Sequence, residues 1–266
     1  MQKRPTAAVR SIPDAAIRAY ADVWRAAGAM RTLALYAVLI ILAALVVEEF
    51  IPPRLINSFA IGTLLDFAID CVRNFCLTPI IIAIHRFIIL DDVTPGYVLD
   101  PAEPGFMPFF GWLVALSLLT TLVFSVPELA MALGGSVLLA TGIEVVALAA
   151  VLIVVMRLTI LFPAIAVGAG NANAKAALAD TKGHAWKIFA IFLLVLLPVA
   201  VVSLAVSWLL GPGIRNTGSP LAVANLIVIA VMQTAVTFLC AAIASRIFEK
   251  YADHVSLGSA DAAKMV

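Results

Sequence analysis

Six long apolar runs alternate with short polar stretches along the chain, at 32–47, 55–90, 108–126, 138–162, 187–210 and 220–245. A membrane-crossing helix needs roughly 20 mostly apolar residues, enough to span a hydrocarbon core about 30 Å thick. The first run reaches that length if it extends back to Ala29 while Arg31 snorkels to the interface. The runs are continuous, whereas a membrane barrel needs short segments that alternate between apolar and polar. The pattern therefore predicts an all-α fold, a polytopic transmembrane helical bundle of about six spans.

Prolines and polar breaks refine the picture. The run at 55–90 is too long for one simple crossing. It is tilted, broken at Pro79, or begins as a helix on the outer surface. Pro127 closes the third run, Pro163 closes the fourth, and Pro198 sits near the middle of the fifth. An interior proline removes one backbone bond and favours a kink, so spans two and five are expected to bend. Two short amphipathic helices are expected outside the spans. The first follows Ser11 as N-cap, with Asp14 at capping-box spacing. Ile17, Tyr20 and Trp24 form its apolar side, with Arg18, Asp22 and Arg25 opposite. The second begins near Asn173 and stops at Gly183. Each leads into a span and reads as an elbow lying on the membrane, or as a dock for headgroups or a partner. The expected organisation is an amphipathic segment at 1–28, one transmembrane domain at 29–250 and a tail at 251–266.

Composition excludes an ordinary soluble domain. Hydrophobic residues make up 64% of the chain and charged residues 12%, against roughly 45–50% and about 25% in soluble proteins. The formal net charge of +1 argues against nucleic-acid binding, which calls for a strong basic excess. Thirty-one residues precede the first run, which ends in Glu48-Glu49-Phe50 with no small-residue cleavage site, so it reads as a retained span. With the N-terminus inside, 14 lysines and arginines fall on the inner side and only Arg54 and Arg215 on the outer, with Arg73 in the second run. That asymmetry predicts both termini in the cytoplasm. Trp112, Trp186 and Trp208 fall at predicted span ends.

The segment Arg157-Leu158-Thr159-Ile160-Leu161-Phe162-Pro163-Ala164-Ile165-Ala166, then a short polar helix and Lys182-Gly183-His184-Ala185-Trp186-Lys187-Ile188, is the most distinctive part of the chain. Together with Ala83-Ile84-His85-Arg86-Phe87-Ile88-Ile89-Leu90 it resembles bacterial six-span inner-membrane proteins. These are the YciC-like group and the membrane domain attached to some glycerophosphodiester phosphodiesterases. The shared features cover about a quarter of the chain. The resemblance implies a six-span bundle in the bacterial inner membrane and no enzymatic activity, since the catalytic phosphodiesterase domain has no counterpart here. His85, Arg86, Arg157 and Trp186 form the cytoplasmic-interface part of the shared pattern. Spans two, four and six also each exit with an arginine followed by apolar residues, at Arg86, Arg157 and Arg246, which is either a faint internal repeat or the charge rule at work.

Ionisable residues at membrane depth are costly and tend to be paired or functional. Asp66, Asp70 and Arg73 share one helical face. They read as a proton or cation relay, as a neutralised pair, or as residues of the outer interface. Glu144 lies near the outer end of span four, within reach of Arg73 or Arg54, while Arg157 snorkels at its inner end. Asn225 and Gln233 read as interhelical hydrogen-bond glue. His85, His184 and His254 fall at or beyond the inner interface without ligand spacing, and Cys71, Cys76 and Cys240 form no metal pattern, so neither metal nor cofactor is expected. Glu48-Glu49 before Arg54 has the wrong spacing for an intramembrane protease and reads as an outer charge cluster. Gly211-Pro212-Gly213 is a turn and not a phosphate loop. The leading expectation is a non-enzymatic protein with a structural or partner-binding role, whose partners are the bilayer and either another membrane protein or a second copy. The rival is a small transporter or lipid-handling protein that uses the Asp66, Asp70 and Arg73 face.

Overall fold

The structure is a computed structural model that describes residues 12–50, 59–132, 134, 136–210 and 220–256. Ser11, Arg54, Gly135, Arg215 and the 211–213 turn lie outside these residues. The described chain is helical, in the order α1 (Ile12–Ala29), α2 (Arg31–Phe50), α3 (Phe59–Leu90), α4 (Phe106–Phe124), α5 (Val126–Ala132), α6 (Val137–Leu158), α7 (Leu161–Ala166), α8 (Ala174–Asp180), α9 (Ala185–Leu210), α10 (Pro220–Tyr251) and α11 (Asp253–Ser256). Six helices among the described residues are long and apolar enough to cross a membrane. They correspond to the six runs, and the protein is a multi-pass α-helical membrane protein.

The central element is α10, which packs against α1, α2, α3, α7 and α9. Its run Ala241, Ala242, Ala244 and Ser245 is buried, and such small side chains let neighbouring backbones approach closely where lipid offers no hydrophobic driving force. On one side, Met30, Leu33, Ala37 and Ile41 of α1–α2 interleave with Leu77, Ile80, Ile84 and Phe87 of α3. On the other, Leu239, Ile243 and Ile247 pack with Phe109 of α4, Leu161 of α7, and Ile188 and Val195 of α9. Trp112 joins this second core as a partly buried residue, so it is a packing residue and not an interfacial anchor.

The α3 helix runs unbroken through Pro79, and α9 through Pro198. Each proline weakens the bonds of the carbonyls one turn before it. In both cases a tyrosine from outside the spans takes up such a carbonyl. The Tyr97 hydroxyl donates to the Cys76 carbonyl at 3.0 Å, and the Tyr20 hydroxyl donates to the Val195 carbonyl at 2.6 Å. Burial pushes both phenols above their usual pKa, with the Cys76 thiol adding to the rise at Tyr97, so both stay protonated donors.

Pro163 does not close span four. The helix breaks earlier, at Thr159–Ile160, and Pro163 sits in the first turn of α7. The proline has no N–H for the Thr159 carbonyl and its ring would clash there, so the break must precede it. The exposed Arg157 carbonyl then accepts the Thr181 hydroxyl at 2.9 Å. Pro127 likewise lies inside a short helix, α5.

The entry to α4 requires Gly105. Its φ is +96°, and an added Cβ would lie 3.2 Å from the Ile165 carbonyl oxygen. Any side chain would be strained and would push α7 away from α4.

The short helix α8 begins at Asn173, whose side chain caps Ala176 N–H at 2.9 Å. In α1 a third face, of small residues with Asp22, packs on the bundle. Ala15, Ala16, Ala19, Asp22 and Ala26 are buried against the bundle, while Ile17 and Trp24 are exposed. Small residues allow close helix approach, and the large apolar ones are left facing outward.

Candidate functional site

The buried His85–Ser245 pair sets the register of the two spans that frame a large cavity. Ser245 Oγ donates its only proton to the Ala241 carbonyl at 2.9 Å. His85 Nδ1 lies 2.8 Å from the same hydroxyl, so the pair joins α3 to α10 inside the bundle and not at its surface. His184 is elsewhere, against Tyr251, and His254 is held by Asp180. Among the described residues no group of three or more histidine, cysteine or acidic side chains converges.

From His85 the cavity extends toward the opposite side of the bundle. It occupies about 790 Å³, within the usual range of ligand sites. Ile41, Leu77, Ile81, Leu113, Leu116 and Leu196 represent its mostly apolar wall. One face of α10 supplies its polar markers in sequence: Asn225, Gln233 and Thr237. On α3, Arg73 lies twelve residues from His85, and on α10 Gln233 lies twelve from Ser245, each about 18 Å along its helix. Arg73 and Gln233 therefore stand at one level, with Asn225 about 12 Å further out. Spread over roughly 30 Å of helix, the volume of about 790 Å³ gives a long, narrow groove of the calibre of an extended hydrocarbon chain.

One wall is incomplete. The α6 helix contributes only Val155 and Met156, with Thr159 just beyond its end. The N-terminal half of α6 is exposed at Leu138, Leu139, Ile143, Val145 and Val146, and α6 packs on α5. Among the described residues, the half of the groove nearer Asn225 therefore faces the surroundings of the bundle sideways between α4 and α9.

The polar cluster stands beside the part of the groove nearer Asn225. Asp66 is exposed. Asp70 forms an ion pair with Arg73, and Arg73 lines the groove. Glu48, near the end of α2, is within electrostatic range of Arg73, Asp70 and Asp66. Asn74, next to Arg73 on α3, donates to Ser117 Oγ of α4 at 3.0 Å, tying α3 to α4 at this level.

Glu144 has no ion pair among the described residues and is half-buried on α6. Arg157 reaches toward α8 and donates to the Leu178 carbonyl, while its Nε is buried without a partner among the described residues. Arg86 donates to Asp92 at 2.8 and 3.0 Å. Trp186 is exposed at the start of α9 and stacks on Phe189.

Asn225 and Gln233 do not act as glue between helices. Both line the groove, the Gln233 side-chain amide has no hydrogen-bond partner among the described residues, and neither does the buried Oδ1 of Asn225. Sequence reasoning could not assign them, because a span-six amide points to a neighbour or into a groove depending on helix order. It also missed Asp22, which is buried beneath Arg246. Comparison with family models, curated proteins and solved structures returns no match to this chain.

Proposed function

We propose that this is a non-catalytic protein of the bacterial inner membrane, with both termini in the cytoplasm, that holds one lipid-like molecule in the groove among α3, α4, α6, α9 and α10. The observation that carries the reading is the laterally open apolar groove of about 790 Å³, whose charged residue, Arg73, and unpartnered amides, Gln233 and Asn225, stand toward one end, while His85 at the other is already bonded to Ser245. In a bilayer an apolar groove beside lipid fills with a hydrocarbon chain at little cost, and the buried polar groups at one end set its direction. Among the expectations from sequence, this favours the lipid-handling reading over a purely structural one. The cluster at Asp66, Asp70 and Arg73 then serves the headgroup end and is not a relay through the membrane.

The test is co-purification. The protein is extracted in mild detergent, delipidated by exchange, and examined by native mass spectrometry for retained lipid. Wild type should retain one lipid per chain. Leu116→Trp combined with Val206→Trp fills the groove from α4 and α9 and should lower occupancy about tenfold. Equal retention by the filled variant, or none by wild type, would refute the reading.

A further inference from the structure

The outer end of the groove has a chemistry more specific than its apolar length. Arg73 offers a guanidinium whose Nη2 is engaged by Asp70, leaving Nε and Nη1 with no partner among the described residues. An anionic oxygen fits there, because a guanidinium binds phosphate through several donors at once. The Asn225 carbonyl oxygen, on a residue only 7% exposed, has no donor. A buried acceptor without a partner costs about 1–3 kcal/mol, and it asks for a ligand that brings an N–H or O–H. The third observation is charge. Among the described residues, Arg73 shares its surroundings with three carboxyl groups, Glu48, Asp66 and Asp70. A wholly anionic headgroup would meet this acidic rim unfavourably, whereas a headgroup carrying its own cation would not.

We propose that the groove selects a phospholipid with a phosphoethanolamine-type headgroup, its phosphate on Arg73 and its primary ammonium donating to Asn225 Oδ1 beside the carboxylates. This rests on the lipid-binding reading above. A trimethylated ammonium keeps the charge but has no N–H to give, and a glycerol headgroup keeps a donor but lacks the positive charge. The site therefore separates three common headgroups on two independent grounds.

The experiment offers the delipidated protein an equimolar mixture of phosphatidylethanolamine, phosphatidylcholine and phosphatidylglycerol with identical acyl chains, and reads the bound species by native mass spectrometry. Wild type should retain the ethanolamine lipid about tenfold over each of the others, the size of one hydrogen bond to a charged group. Asn225→Leu should keep total occupancy and bring the ethanolamine-to-choline ratio close to one. Asp66→Asn, at an exposed position that needs no refolding, should raise the share of phosphatidylglycerol. Arg73→Gln should lower all three. Equal retention of ethanolamine and choline lipids by wild type, or preference for phosphatidylglycerol, overturns the headgroup assignment while leaving the groove as a lipid site. Retention of no lipid by wild type overturns the groove reading as well.

Discussion

Asp22 is the costliest side chain to place in this protein, and its partner explains why it is there. Its side chain is 5% exposed and that of Arg246 is 15% exposed. The two meet through paired bonds of 2.7 and 2.8 Å, and Glu249 accepts from the same guanidinium at 2.7 Å. Arg25 adds a second, longer contact to Asp22 at 3.6 Å and reaches Asp91 at 3.1 Å. Removing one member of a buried pair strands the other, at a cost of about 3–5 kcal/mol, whereas replacing both with apolar groups is often neutral. Asp22→Ala should therefore lower thermal stability in detergent by about 3 kcal/mol, and Arg246→Met added to it should recover most of the loss. If the double variant is no more stable than Asp22→Ala alone, the pair does not hold α1 to α10. Arg18–Asp14, at 3.2 Å with both side chains about one-third exposed, should contribute under 1 kcal/mol. Sequence alone grouped Asp22 with Arg18 and Arg25 as a solvated face. The spacing was right, but Asp22 and Arg246 stand 224 residues apart, and no local pattern joins them.

At the level of elements, each interior proline is matched by a tyrosine hydroxyl from a segment outside the spans. Kinks in spans two and five were legible, because proline chemistry is local. The partners were not, since Tyr97 is 21 residues from Cys76 and Tyr20 is 175 residues from Val195. The arrangement makes a coupled prediction. Tyr97→Phe and Tyr20→Phe should each lose about 1 kcal/mol, the net worth of one hydrogen bond. With Pro79→Ala or Pro198→Ala the Phe75 or Leu194 carbonyl regains its N–H donor and the helix straightens. That brings the N–H of Ile80 or Val199 back onto the Cys76 or Val195 carbonyl, and the matching tyrosine substitution should then cost less. Additive losses in this double-mutant cycle, read by thermal unfolding, would mean that the tyrosines do not serve the proline kinks. The span-exit arginines follow a related logic. Arg86 holds the segment after α3 through Asp92, Arg157 holds α8, and Arg246 holds α1. Their common position was readable, but each has a different target, set by which surface segment lies beneath it.

For the whole molecule, the six spans were legible because bilayer thickness fixes helix length, and composition alone fills that length. Helix order was not, so neither the groove nor the level of the polar cluster could be read. The structure supplies a frame for both. Trp186 and Trp208 are both exposed on α9 and 22 residues apart, about 33 Å along the helix. That matches the spacing between the two interfaces of a bilayer with a core of about 30 Å. The α2 residues Leu33, Ala37 and Ile41 share one core with α3, and the end of α2 at Glu48 stands within electrostatic range of Asp70 and Arg73. The cluster therefore belongs to the interface opposite α1 and α8. With both termini in the cytoplasm, as proposed, that interface is the outer one, and the orientation is testable on intact cells. In a variant with Cys71, Cys76 and Cys240 replaced by serine, a cysteine at Asp66 should react with a membrane-impermeant maleimide added outside. A cysteine at Lys182, exposed beyond α8, should react only after permeabilisation. A cysteine at Asn225 should react more slowly than one at Asp66 and be protected by added phosphatidylethanolamine, because it faces the groove and not the aqueous surface. Labelling of the Lys182 position from outside would invert the molecule. The groove's polar end would then face the cytoplasm, and its lipid would have to come from the inner leaflet.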